Sequence, residues 1–272
     1  MQRAQLISGD LVFEKEGGFF AAIKDGYFRV EIPEDLDLGV IDTFNRCFYQ
    51  DSHITGNEDV YFDRDGFQTE HILVSNDQWS AVLPLTVTQN VLKMELMAQA
   101  VLKNTLAFVG IPANLWSVVT GDVFVDSHLS WFAASHYRKD RDFLGCPAHK
   151  DTGFVTLLHT QEEGLEYRDK GEWRPIPVTP GALIVHFGQS FEVLTASLDR
   201  QVRAILHRVR KTASTCEPEK HSFAVFLNSF SEKSLYRMTT QATYEVYKNV
   251  GDYLKEFNTE TWKDYHGTFG IE

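Results

Sequence analysis

VFVDSHLSWFAASHY (123–137), GFVTLLHT (153–160), GLEYRD (164–169), EWRPIPV (172–178), ALIVHFG (182–188), RAILHRV (203–209) and HSFAVFLN (221–228) follow one another through the second half of the chain. Each is short, rich in β-branched and aromatic residues, and set off by turn signals such as Pro180-Gly181. Many short strands at such spacing predict a sandwich, jelly roll or barrel rather than a helical or doubly wound fold.

Outward from this block the pattern changes. Upstream, Tyr27 to Ile32 predicts a short strand, and Pro33, Glu34 and Asp35 predict the start of a helix carrying Leu36, Val40, Ile41, Phe44 and Phe48 at helical spacing. Residues 51–82 are polar and contain glycine, which predicts loop with short strands. Pro84 opens a long helix to about Val109. Met94, Met97, Val101 and Phe108 share one of its faces, and Gly110 and Pro112 stop it. Downstream, TYEVYKNVGDYLKEFNTETWKDYH (243–266) reads as helix with a break at Gly251. No repeat or linker interrupts the chain. The expectation is one domain over 1–272, with a helical N-terminal part (1–120), a jelly-roll core (121–230) and a helical tail (231–272).

Composition narrows the function classes. A net charge of −12 argues against a nucleic-acid surface or an anionic membrane as partner. Cys47, Cys146 and Cys216 are odd in number and widely spaced, which fits neither a disulfide framework nor a zinc knuckle and suits a reducing, cytoplasmic setting. The first residues lack a basic region followed by an apolar run, and no apolar run reaches the roughly 18 residues that span a bilayer.

The chemistry-bearing run is AHKDTGFVTLLH (148–159). In an extended strand His149 and Asp151, two apart, face the same side, so an imidazole and a carboxylate point together into whatever the strand lines. His207, on a later predicted strand, completes two imidazoles and one carboxylate, the facial set that suits non-haem ferrous iron; a cysteine-rich set would instead favour zinc or an iron–sulfur cluster.

The longer context is similar to the isopenicillin N synthase-like family of iron- and 2-oxoglutarate-dependent oxygenases and related oxidases. The resemblance rests on His149, Asp151, Gly153, Thr156, Leu157 and Leu158; on Gly164 and Leu165; on Gly171, Trp173, Ile176, Pro180, Gly181, Ala182 and Leu183; and on His207, Arg208 and Val209. It covers about residues 120–230, with a looser match near residues 25–50. It implies a mainly β fold with flanking helices, a double-stranded β-helix (jelly roll, cupin-like) with iron inside one end.

The resemblance also implies roles. Fe(II) would be held by His149, Asp151 and His207, and 2-oxoglutarate would reach Tyr137, Lys220 and Ser222 with its far carboxylate. The partners implied are dioxygen and a small molecule such as an amino acid or a biosynthetic intermediate, which is hydroxylated, desaturated or cyclised. Arg138, Arg141, Arg203 and His186 are candidates for the substrate. Three departures stand out, one of them three extra residues between Leu194 and His207 that lengthen a loop near the mouth. Lys220-His221-Ser222 replaces the family's R-x-S, so the co-substrate carboxylate meets a point charge instead of a bidentate fork. His186 replaces the Asn of V-N-x-G-D, which suggests a fourth ligand, a structural hydrogen bond or a substrate contact. His136, beside Tyr137, is placed to face the pocket; His53, His71, His159 and His221 have no matched role. An oxidase that uses the same iron without 2-oxoglutarate, and a non-catalytic cupin-like binding protein, remain as alternatives.

Overall fold

The computed structural model describes residues 1–50, 59–64, 66–125, 129–213, 215 and 219–262. His53 and Cys216, and residues 126–128 of the first predicted core strand, lie outside the described residues.

In chain order the elements are β1 (Arg3–Ile7), β2 (Asp10–Phe13), α1 (Gly18–Asp25), β3 (Tyr27–Glu31), α2 (Leu38–Gln50), β4 (Tyr61–Asp63), β5 (Thr69–Ser75), α3 (Trp79–Val82), α4 (Leu85–Val109) and α5 (Trp116–Val119). There follow β6 (Leu129–Tyr137), β7 (Cys146–His149), β8 (Val155–Thr160), β9 (Leu165–Asp169), β10 (Glu172–Pro175), β11 (Ala182–Phe187) and α6 (Gln189–Thr195). The last elements are β12 (His207–Val209), β13 (Lys220–Asn228), β14 (Ser234–Met238), β15 (Tyr244–Asn249) and α7 (Val250–Trp262).

Nine strands form one sheet in the order β2-β1-β3-β11-β8-β13-β6-β5-β4, antiparallel except for the β1–β3 pair. Four form a second sheet, β10-β9-β12-β7. The two pack as a jelly roll. Tyr27, Tyr137 and Ile184 of the large sheet meet Leu165 and Val209 of the small one in a buried cluster between them.

Strand alternation explains how one sheet serves both a core and a site. On β13, Val225 and Leu227 face outward, where they join Val87, Val91, Met94, Val101 and Leu102 of α4 in the main hydrophobic core. The intervening Ser222, Ala224, Phe226 and Asn228 line a cavity between the sheets. The long helix ends as its sequence predicts: Gly110 caps it in the left-handed conformation, and its N–H reaches the carbonyl of Leu106.

Three expectations need correction. The N-terminal part is not simply helical, because β1 to β5 fall within residues 3–75 and extend the large sheet on both flanks. The sequence pattern reveals β3 and short strands within 51–82, but not β1 and β2, five- and four-residue strands at one flank of the sheet that pairing holds extended. The tail beyond residue 231 is not all helix: β14 and β15 pair as an antiparallel ribbon before α7 begins. Most of β15 is exposed, so it lacks the buried face that makes a strand legible; its one cue is the β-forming set Tyr244, Val246 and Tyr247. Gly251 lies in the first turn of α7, where its N–H meets the Ser231 carbonyl, and it breaks nothing. Finally, β7 ends at His149, so Asp151 is not on a strand.

Candidate metal centre and co-substrate pocket

His149 and His207 are brought together by sheet register. β7 and β12 run antiparallel with these two residues as direct partners, and their rings lie 4.4 Å apart. Asp151 reaches them from the turn after β7. Its Oδ1 lies 3.5 Å from His149 Nε2 and 3.7 Å from His207 Nε2. The turn is clamped by backbone contacts: Gln189 N–H donates to the Asp151 carbonyl at 2.7 Å, and Gly188 N–H to that of Phe154 at 3.1 Å. A Cβ on Gly188 would sit 2.7 Å from the Gly153 carbonyl carbon, so only glycine permits this approach.

These residues fit a metal ion. One ligand atom from each of His149, Asp151 and His207 lies within 4.8 Å of the others. Nδ1 of His149 faces the Pro147 carbonyl at 2.9 Å and Nδ1 of His207 faces that of Ile205 at 3.3 Å, which leaves both Nε2 lone pairs for the cation. Burial opposes charge on Asp151, yet His207, His149 and His186 around it hold the carboxyl well below its usual range. Burial pushes His207 down to about 3, towards the neutral form that ligates, whereas against burial Cys146 and Asp151 hold His149 well above the usual imidazole range, so a cation entering the site has to displace the His149 proton. Two imidazoles and one carboxylate, with no thiolate, form a donor set for ferrous iron with open positions.

Tyr137, Lys220 and Ser222 also converge. Lys220 and Tyr137 are register partners on β13 and β6, and Ser222 lies two residues along on the same face. The Tyr137 hydroxyl and the Ser222 Oγ are 3.1 Å apart. Lys220 is 2% exposed, its Nζ donates to the Glu163 carbonyl at 3.1 Å, and among the described residues no carboxylate side chain forms an ion pair with it. Burial lowers its pKa to about 8 and raises that of Tyr137. Glu162 and Glu163 favour its charge from a distance, but a buried cation with no directly paired carboxylate is costly, and a carboxylate ligand would relieve it.

The cavity extends from the three ligands to Tyr137 and Ser222, with walls of Leu73, Trp131, Ala133, Leu158 and Phe226. His71, Asn228 and Asn258 add polar points, and Leu254 and Phe257 of α7 lie across it. No local pattern marks His71 or the α7 residues, which arrive by packing alone.

The candidate substrate cations are elsewhere. Arg138 lies near Asp140 and Glu70, Arg141 makes a bidentate pair with Asp63 at 2.6 and 2.8 Å, and Arg203 is exposed near the end of α1. None of the three lines the cavity. His186 does line it, with its ring 4.6 Å from that of His207. His136 points away from it. Strand alternation puts that ring on the helix-covered face, where Nδ1 meets Glu70 at 2.7 Å and Nε2 meets Glu219 at 3.0 Å.

Comparisons with known proteins agree with this geometry. The family model for the 2OG-Fe(II) oxygenase superfamily matches residues 128–229, which contain all three metal candidates. A 1-aminocyclopropane-1-carboxylate oxidase homolog of Arabidopsis thaliana is 31% identical over 120 residues, 39% of this chain and 32% of that protein. Flavonol synthase/flavanone 3-hydroxylase of Petunia hybrida is 29% identical over 126 residues, 45% of this chain and 32% of that protein. The chain thus spans about a third of the length of these two curated relatives, and 21% of a chloroplastic 2-oxoglutarate-dependent dioxygenase of Oryza sativa. Among solved structures, JOX2 in complex with 2OG, Fe and JA superposes with a TM-score of 0.68 at 17% identity, covering 88% of this chain and 79% of that one. The dioxygenase for auxin oxidation of rice gives 0.63 at 19% identity, covering 96% of this chain and 95% of that one. At such identity the likeness shows the fold.

Proposed function

We propose, for a chain whose core belongs to the 2OG-Fe(II) oxygenase superfamily, that it is a ferrous-iron and 2-oxoglutarate-dependent dioxygenase that oxidises a small molecule. The observation that carries the co-substrate is Lys220: a buried ammonium without a carboxylate partner, on the same side of β13 as Ser222 and beside Tyr137. Iron and 2-oxoglutarate, when bound, supply the electrons that activate dioxygen and leave succinate and carbon dioxide.

The chain's own residues do the rest. His149, Asp151 and His207 hold the ion on one face and leave the cavity side open. The Thr156 hydroxyl donates to Asp151 Oδ2 at 2.7 Å, which keeps Oδ1 turned toward the two histidines. Lys220 neutralises the far carboxylate of the co-substrate while Ser222 and Tyr137 donate to it. Apolar walls and α7 shield the centre from water, which strengthens each of these polar contacts.

The same walls bear on substrate class. Lys220 stands behind Tyr137 and Ser222, and among the described residues no Lys or Arg contributes to the cavity lining. An uncharged, largely apolar small molecule suits it better than a free amino acid, whose carboxylate would find no second cation there.

Anaerobic addition of 2-oxoglutarate to the ferrous protein tests the reading. A visible charge-transfer band and stoichiometric succinate on turnover are expected. No band and no succinate would sink the 2-oxoglutarate assignment and leave an oxidase that uses the same iron.

A further inference from the structure

The side chain of His186 is a buried polar group, beside the metal ligands, that the reaction above does not use. It is 1% exposed, it faces inward on β11 between its register partners Tyr27 and Thr156, and neither ring nitrogen has a hydrogen-bond partner. Buried polar groups are nearly always paired, and an orphan beside a functional centre asks for an explanation. The nearest carboxylate oxygen supplies one: His186 Nδ1 lies 3.7 Å from Asp151 Oδ2. That oxygen also accepts the Thr156 hydroxyl, whereas Oδ1 is the one near both His149 and His207.

We propose that His186 is a positioning residue for the metal-binding carboxylate: its Nδ1–H holds Asp151 Oδ2 together with Thr156, and so commits Oδ1 alone to the metal. The proposal rests on the reading of His149, Asp151 and His207 as ligands and deepens it. An ionised carboxylate only accepts hydrogen bonds, so the contact sets the His186 tautomer. In that contact Nδ1 is the donor. His186 lies outside the compact set of ligand atoms that His149, Asp151 and His207 form, which favours a supporting role over a fourth ligand.

Side-chain geometry provides a discriminating test. The amide nitrogen of Asn stands at the same number of bonds from the backbone as Nδ1 of His, and that of Gln matches Nε2. Metal-free wild type and the variants His186→Ala, His186→Asn and His186→Gln are titrated with Co(II), with affinity and visible d–d spectrum as readouts and thermal unfolding as the check on folding. Expected is a ten- to hundredfold loss of Co(II) affinity in His186→Ala, roughly the range seen when a group supporting a metal ligand is removed. His186→Asn should return to within about threefold of wild type and His186→Gln should not. In a Thr156→Val background the loss from His186→Ala should grow, because both side chains hold one oxygen.

Unchanged affinity in His186→Ala overturns the proposal, as does rescue by Gln in place of Asn. A Co(II) spectrum reporting a lower coordination number in His186→Ala overturns it in favour of direct ligation. If His186→Ala does not fold, the Asn against Gln comparison decides by itself. Failure of the underlying site looks different: Asp151→Ala would then bind Co(II) as tightly as wild type.

Discussion

The Lys220 ammonium nitrogen stands 5.1 Å from the centre of the Tyr137 ring, so the buried cation rests on an aromatic face while its nearest hydrogen-bond acceptor is a backbone carbonyl. Ring and carbonyl give only partial compensation for a full charge out of water, and this makes Lys220 a receptor for an anion. Replacing it with Met keeps the length and removes the charge. Lys220→Met should weaken 2-oxoglutarate binding by about 10- to 100-fold, the worth of one charge-assisted hydrogen bond, with iron content unchanged. Calorimetry on the anaerobic iron-loaded protein measures this, and unchanged affinity would remove Lys220 from co-substrate binding.

The same residue gives a pH dependence. Burial lowers the Lys220 pKa to about 8, and only the protonated form pairs with a carboxylate. Affinity for 2-oxoglutarate should therefore be flat well below about pH 8. Above it, affinity should fall by up to about tenfold per pH unit, until the higher pKa of the ligand-bound state is reached. Lys220→Arg keeps its charge throughout and should flatten the profile, whatever its absolute affinity. A wild-type profile that stays flat to about pH 9.5, well past the point of deprotonation, would contradict the assignment.

His149→Ala removes one of the two imidazoles paired across β7 and β12. Iron at roughly a hundredfold over its dissociation constant should stabilise the wild type by about 2.7 kcal/mol and the variant by much less. Metal analysis and unfolding with and without Fe(II) report both quantities. Equal iron content and an equal shift in the two proteins would rule out the three-ligand centre.

Gly188 tests the clamp under Asp151. A Cβ there meets the Gly153 carbonyl carbon at 2.7 Å and the Asp151 carbonyl oxygen at 3.0 Å, both backbone atoms that cannot rotate away. Gly188→Ala should destabilise the fold by about 3 kcal/mol or more and weaken metal binding in the molecules that remain folded. Denaturant unfolding of the metal-free protein separates the two effects, and a loss below about 1 kcal/mol would mean that the turn can yield.

Phe257 of α7 places its ring 6.5 Å from that of His149 and lines the cavity. Phe257→Ala removes an aromatic wall and should raise the substrate KM by about tenfold, the equivalent of roughly 1.4 kcal/mol of lost apolar burial. Once a substrate is in hand, steady-state kinetics check this; an unchanged KM would place the substrate away from α7.

Much of the candidate centre is legible along the chain because strand alternation and donor chemistry are local. The H-x-D pair and the distant His207 sit together, and so do Tyr137, Lys220 and Ser222, a set that only the family resemblance implied. Strand alternation is nevertheless an incomplete reason for the H-x-D pair: Asp151 faces its partners from a glycine-clamped turn, since β7 has already ended. The arginines considered for the substrate illustrate the opposite case. Nothing local distinguishes Arg141, tied to Asp63, from an arginine aimed into a pocket.

Residue type and period-two patterning are written along the chain, so the β-rich core and the candidate metal donors can be read without coordinates, and the family resemblance adds that Lys220 stands where an arginine is usual. Other features exist only in the folded molecule. His207 pairs with His149 across two strands, His186 faces the outer oxygen of Asp151, and α7 lies across the cavity. Register and packing between distant segments depend on how all their faces are buried at once, and no local stretch encodes that.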